Sequence, residues 1–383
     1  MKLGVVKETF PGERRVAIVP QNFVDFKKLG LDVFIECGAG SGAFISDNDY
    51  KKAGAEVVSS REEILRNADI VCYVRGPGAD KNNLNDLNVL KKGATIVGMM
   101  DPLANPDIIQ KVAKSGVTAF ALELMPRVTR AQGMDVLSSM ATIAGYRTVI
   151  VAAYIFSRIF PMLMTAAGTL LPARVFIIGA GVAGLQAITV AKRLGACVEA
   201  YDVRPEVKEQ VQSCGARFIE LGIETKEASE KSGYAKAMSE EFYKKQREMM
   251  FKVIESSDIV ITTALVLGKK APVLVTKEMV ERMKPGSVVI DLAAERGGNC
   301  ELTSPGEIVD YKGVKIVGLI NTPSDIPIHA SLMYSNNIKN FLKIIIKDGQ
   351  LYIDKSDEIV TGTLVTQNGE IISEMVKKAL AKT

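Results

Sequence analysis

This chain of 383 residues contains one histidine, His329, and has no Cys-x-x-Cys. A lone histidine limits acid–base chemistry. A dehydrogenase acting on an alcohol or amine moves a proton with each hydride and ordinarily holds a His or Lys over its substrate. His329 follows the turn Thr322-Pro323-Ser324-Asp325-Ile326-Pro327 and reads as part of a helix start, not as a catalyst. The five cysteines, Cys37, Cys72, Cys197, Cys214 and Cys300, are scattered and odd in number. Their spacing excludes a cysteine-rich metal cluster and fits reduced thiols in a cytosolic protein; no metal is expected. Blocks of like charge are also missing. Basic and acidic residues alternate, as in Arg61-Glu62-Glu63, and the net charge is only +4, so no nucleic-acid partner is expected. The uncharged stretch from Ile159 to Ala173 carries Pro161, Gly168 and Pro172 and falls short of the ~20 residues of a spanning helix. Met1 to Glu8 reads as a strand rather than a signal peptide.

What is present is concentrated between residues 174 and 204. The apolar run Arg174-Val175-Phe176-Ile177-Ile178 leads into Gly179-Ala180-Gly181-Val182-Ala183-Gly184. A helical pattern closes at Gly195, and a second apolar run from Cys197 to Tyr201 ends at Asp202. Strand, glycine turn, helix, strand and acid follow in the order and near the spacing of a dinucleotide-binding unit. Gly179 would make the tight turn, Gly181 would admit a pyrophosphate, and Gly184 would let the helix pack on the strand. The helix N-terminus offers unpaired N–H groups to the phosphates. Asp202 is placed to accept a ribose hydroxyl and to repel a 2′-phosphate, which favours NAD over NADP; Arg204 softens that preference.

Apolar content of 47% and a prior of ~100–200 residues per domain suggest two or three domains. Strand patterns at 2–6, 31–36, 55–58, 69–74, 94–98 and 117–121 alternate with helical ones near 20–29, 48–53, 60–67 and 106–114. Gly38-Ala39-Gly40-Ser41-Gly42 has the wrong spacing for a nucleotide and reads as a structural turn. Residues 136–160 read as one buried apolar helix. Further strands are expected near 216–219, 258–262, 287–292 and 314–318, with helices near 206–213, 241–256 and 276–283. Residues 221–240 are small and polar and read as a lid over nucleotide, with Tyr234 its one aromatic. A helix from Ser331 to Lys347 is expected to return the chain to the first domain. The expected fold is α/β: two doubly wound Rossmann-like domains with parallel sheets, separated by a cleft. The first comprises 1–136 plus 329–383; the second, 137–328, holds the nucleotide.

Arg127, Gln132, Asp135 and Ser138 form a polar cluster just before the apolar helix, at the expected domain junction. Asp135 and Ser138 are also explained as helix caps. Hydride transfer between two nicotinamides needs proximity and orientation but no general base, which suits a chain with a good dinucleotide motif and one histidine.

Long blocks then make the chain recognisable. They include Lys7-Glu8, Gly12-Glu13-Arg14-Arg15-Val16-Ala17, Glu123-Leu124-Met125-Pro126-Arg127, Ala131-Gln132 through Ser138-Ser139, Thr165-Ala166-Ala167-Gly168-Thr169, Gly179 to Gln186, Thr262-Thr263-Ala264, Met283-Lys284-Pro285-Gly286-Ser287 and Gly297-Gly298-Asn299-Cys300. Over essentially its whole length the chain resembles the soluble NAD(H)-binding alpha-subunit component of the proton-translocating NAD(P) transhydrogenases, in the alanine dehydrogenase/transhydrogenase family. The resemblance implies NAD(H) on this chain and NADP(H) on a partner subunit. It also implies direct hydride transfer between them, coupled by membrane-spanning subunits to proton movement. Arg127, Gln132, Asp135 and Ser138 match the residues that order the nicotinamide end. The other nucleotide contacts implied are Val128, Thr129, Gly179, Ala180, Gly181, Val182, Gly184, Asp202, Val203, Arg204, Gly233, Tyr234, Gln246, Ala264 and Leu265. A homodimer, peripheral on the cytoplasmic face of the inner membrane through its partners, is also implied.

The alternative is an alanine dehydrogenase-like oxidoreductase. Arg75 stands at that family's Lys position, Gly98-Met99-Met100-Asp101-Pro102 contains no His where one belongs, and Glu295 replaces an Asp. Arg15 remains where that family grips a carboxylate. A nucleotide-binding regulatory subunit without chemistry is a third reading.

Overall fold

The computed structural model describes residues 1–220, 240–266 and 268–381. Its internal contacts divide the chain into two compact units, Met1–Met140 with Pro323–Thr383, and Ala141–Thr322.

The first unit is built on an eight-stranded sheet. From one edge the strands run Glu370–Ile371, Leu364–Gln367, Thr118–Ala121, Thr95–Met99, Ile70–Arg75, Lys2–Val5, Asp32–Glu36 and Glu56–Val58. The six strands of the N-terminal segment are parallel. Leu364–Gln367 joins them antiparallel and carries a hairpin partner. The sheet is therefore parallel only in part, because the last segment arrives as a hairpin and a hairpin must pair antiparallel. Near-continuous burial of Ile70–Arg75 and Thr118–Ala121 follows from helices covering both faces. On one face Val71, Tyr73, Ile96 and Ala119 pack with Ile64, Leu65, Ile109 and Val112. Elsewhere in this unit the helix Pro327–Ile345 buries Ala330, Tyr334, Ile338, Phe341 and Leu342 along one helical stripe. Phe341 meets Phe120 edge-on, with ring centroids 5.3 Å apart. Polar ties fasten this late helix to the first residues of the chain. Ser331 Oγ accepts Val16 N–H at 3.0 Å, and Ser335 Oγ accepts Val19 N–H at 3.1 Å.

The second unit carries a seven-stranded sheet, ordered Arg217–Phe218, Cys197–Tyr201, Arg174–Ile178, Ile259–Thr262, Val288–Asp291, Val314–Gly318 and Ile308–Tyr311. Of these strands Ile308–Tyr311, at the edge, is the antiparallel one. Counted within each unit, the six parallel strands of both sheets follow the order 3-2-1-4-5-6 of dinucleotide-binding folds. Strand alternation divides the core. Val175, Ile177, Ile259 and Ile261 face the helices Val136–Ile155 and Val182–Arg193. Phe176, Ile178 and Val260 face Glu240–Glu255 and Lys277–Arg282.

The long apolar helix ends at Ile155 rather than near residue 160. Leu163–Thr165 and Gly168–Leu170 then form a hairpin whose residues are all exposed. Pro161 lies between the helix end and the hairpin, where it disfavours further helix, and Gly168, at φ +129°, stands at the hairpin turn opposite Thr165. Nor is that helix buried throughout. It is long and apolar enough to cross a membrane by length and composition, yet Tyr154 is exposed while Val149 and Ala152 are core. Glycines at 40 and 42 are accounted for by packing. A Cβ on Gly40 would lie 2.6 Å from the Tyr50 ring, and one on Gly42 would lie 2.7 Å from Arg14 O.

Gly145 shows how closely two helices of the second unit approach. A Cβ there would sit 2.2 Å from Ala183 O and 3.0 Å from Gln186 Cβ. Alanine would add ~1 kcal/mol of helix propensity, but separating the helices costs ~1–3 kcal/mol. Gly145→Ala is therefore expected to lower the urea midpoint at unchanged slope; a raised midpoint would refute the close approach.

Candidate functional site

The strand Arg174–Ile178 delivers the chain to Gly179 at φ +98°, a left-handed turn open to glycine at little cost. A Cβ on Gly179 would meet Thr263 Oγ1 at 2.6 Å, and one on Gly184 would meet Gly179 O at 1.9 Å. These two positions thus let the turn and helix close on each other. Gly181 differs: among the described residues, nothing but Arg204 Nη2, at 3.9 Å, lies near its Cβ position. Gly181 is also the N-cap of the twelve-residue helix Val182–Arg193 and has no side chain to cap it. The first-turn N–H groups and the helix dipole are left for an anion.

Asp202, only 7% exposed, stands at the end of the neighbouring strand. Its Oδ2 accepts Ala180 N–H at 2.7 Å, tying the strand end to the glycine turn. Arg204 closes on the same carboxylate with its backbone N–H, Nε and Nη2, each at 2.9 Å.

The sheet order reverses between Arg174–Ile178 and Ile259–Thr262, and a polar bridge spans that point. Thr263 Oγ1 donates to Gly179 O at 2.9 Å. Behind it Asn299, fully buried, takes Ala264 N–H on Oδ1 at 3.0 Å and returns Nδ2 to Ala264 O at 2.9 Å. Asp291 in turn accepts Asn299 N–H, Cys300 N–H and Thr303 Oγ1. Thr263 and Asn299 stand within the recognisable sequence blocks, but neither spacing nor resemblance assigned them a role. The available signal was a polar residue directly following an apolar strand.

Other expected contacts fall as follows. Val182 opens the helix, and Val203 packs partly buried against the core. Leu265 is 40% exposed. Gln246 is buried against Tyr201, and its Oε1 has no hydrogen-bond partner among the described residues. Gly233, Tyr234 and the expected lid at 221–240 lie outside the described residues, apart from the helix start at Glu240.

The polar cluster 127–138 belongs to the first unit. Thr129–Met134 forms a 3-10 turn held from two sides. Gly133 O accepts Nδ2 of Asn337 and of Asn340, both at 3.0 Å, and Arg130 forms a bidentate pair with Asp357. Arg127, Thr129 and Gln132 are exposed, while Val128, Asp135 and Ser138 are half-buried. Asp135 accepts Ser138 N–H at 2.9 Å and Oγ at 2.5 Å, so these two residues do cap the helix.

The first unit's own reversal point, between Lys2–Val5 and Ile70–Arg75, is filled by charged side chains. Glu8 bridges it, accepting Val74 N–H at 2.6 Å and Arg75 N–H at 3.0 Å. Arg15 is buried in a bidentate pair with Glu13, at 2.7 and 2.6 Å. Burial alone would raise the Glu13 pKa, but the Arg15 guanidinium outweighs it and brings the group to about 2. Burial wins at the other two carboxyls, raising Glu8 to about 8 and Glu123 to about 7. Glu123 Oε1 accepts Met100 N–H and Asp101 N–H, while its buried Oε2 has no hydrogen-bond partner among the described residues.

This geometry is that of a protein family with two such units. A model described as alanine dehydrogenase/PNT, N-terminal domain, matches residues 4–144, and the corresponding C-terminal domain matches residues 148–374. The chain belongs to the alanine dehydrogenase/PNT family. An NAD(P) transhydrogenase alpha-subunit chain of Rhodospirillum rubrum is 49% identical over 97% of this chain and 98% of its own length. Alanine dehydrogenase of Mycolicibacterium smegmatis is 30% identical over 99% and 97%. A crystal structure of transhydrogenase from Sinorhizobium meliloti superposes with a TM-score of 0.84 at 43% identity, covering 98% of this chain and 99% of that one. Within the alanine dehydrogenase/PNT family the chain therefore stands with the transhydrogenase alpha subunits, as NAD-binding oxidoreductases of Rossmann-like fold.

The two raised carboxyls of this family member have a consequence for stability. Folded, Glu123 keeps its proton up to about pH 7, whereas the unfolded group loses it above its ordinary value of 4.5. The folded state thus binds more protons between these values, and stability falls as pH rises through that window. Glu123→Gln preserves the accepting oxygen and removes the ionisation. Its stability relative to the parent is expected to grow by ~2–3 kcal/mol between pH 4.5 and 7.5, read from urea unfolding at several pH values. A difference independent of pH would show that Glu123 ionises normally.

Proposed function

We propose that the chain is the NAD(H)-binding component of a proton-translocating NAD(P) transhydrogenase. In this reading it passes hydride directly to NADP⁺ held on a partner subunit. The observation that carries this is the glycine turn with its uncapped helix start and the Asp202 carboxylate tied to Ala180 N–H. The residues present fit a dinucleotide: Gly181 leaves room for a pyrophosphate, and a cradle of backbone N–H groups faces it. When bound, NADH supplies the hydride.

The chain's own residues bind and orient. The N–H groups at the start of Val182–Arg193 hold the pyrophosphate, and Gly179, Gly181 and Gly184 let the backbone approach it. Asp202 accepts ribose hydroxyls. Thr263 and Asn299 fix the backbone at Ala264 and Leu265 beside the turn. Arg127, Gln132, Asp135 and Ser138 order the nicotinamide end, with Val128 and Thr129 in the same segment. The buttressing of that segment by Asn337, Asn340 and Asp357 supports a positioning role. No proton transfer is asked of these residues, consistent with the single histidine, which is exposed in the first turn of its helix.

The amino-acid dehydrogenase reading is weaker. Arg15 is committed to Glu13, Arg75 occupies the Lys position, and residues 98–102 supply no histidine. The same proposal places NADP(H) and the proton pathway on other subunits. It takes the chain to be a homodimer held at the cytoplasmic face of the inner membrane through those partners, with the domains bounded at 1–136 plus 329–383 and at 137–328.

The test is hydride transfer from NADH to an NAD analogue, with and without a purified NADP(H)-binding component carrying NADPH. Fast transfer only when both are present is expected; turnover with pyruvate and ammonium instead would overturn the proposal. In the same assay Gln132→Asn should leave NADH affinity within a few-fold and slow transfer by at least ~100-fold, the scale of a misplaced reacting group. Unchanged transfer would remove Gln132 from the reaction.

A further inference from the structure

An ionised carboxylate accepts hydrogen bonds at about four lone-pair positions. At Asp202 four donors already fill them. Oδ1 accepts Arg204 N–H and Nε, both at 2.9 Å. Oδ2 accepts Ala180 N–H at 2.7 Å and Arg204 Nη2 at 2.9 Å. Two of these donors are backbone groups fixed by the fold and by the glycine turn. The other two belong to one guanidinium on a rotatable side chain. The pair is shielded, with the Asp202 and Arg204 side chains only 5% and 13% exposed. The same Nη2 also lies over Gly181, 3.9 Å from its Cβ position, where no other described residue comes near.

Resting on the reading that a dinucleotide binds at this turn, we propose that Arg204 is a placeholder for the ribose diol. In the free protein its guanidinium occupies both positions at which two vicinal hydroxyls would donate to Asp202, and it leaves when the nucleotide enters. The backbone bonds from Ala180 and Arg204 persist, so the carboxylate stays aimed. The bidentate fork of arginine suits this substitution, because its two parallel N–H donors match the two oxygens that a diol would engage. The observed affinity is then the intrinsic affinity reduced by the fraction of protein in which the fork is already open. The displaced cation remains beside the 2′ position, where it partly offsets the repulsion between Asp202 and a 2′-phosphate.

Equilibrium titration of the full-length chain with NADH and with NADPH tests this. Arg204→Gln removes the placeholder and should bind NADH about 3- to 30-fold more tightly, the inverse of an open fraction between roughly one third and one thirtieth. NADPH should gain less, so that discrimination widens. Arg204→Lys, which offers a single ammonium in place of the fork, should lie between parent and Gln. Equal or weaker NADH binding by Arg204→Gln would overturn the proposal and make the guanidinium a nucleotide ligand. If thermal melts show that the Gln variant does not fold, the Lys variant carries the test with the same sign: tighter binding supports the placeholder, and equal or weaker binding ends it. Failure of the unaltered protein to bind NADH would be a different result, overturning the nucleotide site itself and the placeholder with it.

Discussion

The Asp202 carboxylate is the contact on which the second unit's site depends. It stands at the end of one strand and accepts an N–H from the turn that ends the next, so two strand ends share one anion. A buried carboxylate without donors is costly to keep charged. Here Ala180 and Arg204 supply the donors, and the glycine turn is locked in the shape that faces a phosphate. The helix start, the left-handed Gly179 and the Thr263 bridge are all arranged around that fixed turn.

The two units use one strand order and treat its reversal point in opposite ways. In the second unit a threonine hydroxyl and a glycine carbonyl span it, leaving backbone N–H groups facing outward. In the first, Glu8 spans it and the Glu13–Arg15 pair is buried beside it. Ion pairs of this kind contribute little net stability after desolvation, but removing one member leaves a costly unpaired charge. The first unit's reversal point is thus occupied by its own side chains, and what it contributes around residues 127–138 is a rigidly buttressed segment.

Much of this was legible in the sequence because it is local. The glycine turn, Asp202 and the alternation of strands and helices are written in spacing and in period, and both sheets formed where the apolar runs lie. The hairpin at 163–170 was not legible, because an apolar run between an apolar helix and an apolar strand has no period of its own. Pro161 disfavours further helix before it, and Gly168 stands at its turn. The antiparallel strands Leu364–Gln367 and Ile308–Tyr311 were missed for a related reason: short strands carry few residues on which a pattern can repeat. Asn299 and the Arg204 fork on Asp202 are long-range or side-chain-specific facts. No spacing rule distinguishes an arginine that softens a charge from one that saturates it.

The first unit begins at Met1 but needs Pro327–Ile345 and Leu364–Gln367 to complete it. A ribosome releases the chain from its beginning, at ~5–20 residues per second. The whole of Ala141–Thr322 therefore emerges before the helix that covers Phe120 and binds Val16 and Val19 exists. The continuous unit can close while the earlier one still lacks its cover, so the order of folding runs against the order of synthesis. Throughout the synthesis of Ala141–Thr322, and until Pro327–Ile345 and Leu364–Gln367 have followed, the N-terminal sheet stands with an apolar face and the edge at Thr118–Ala121 open to solvent. That interval is when the nascent protein is most exposed to aggregation and most dependent on chaperones.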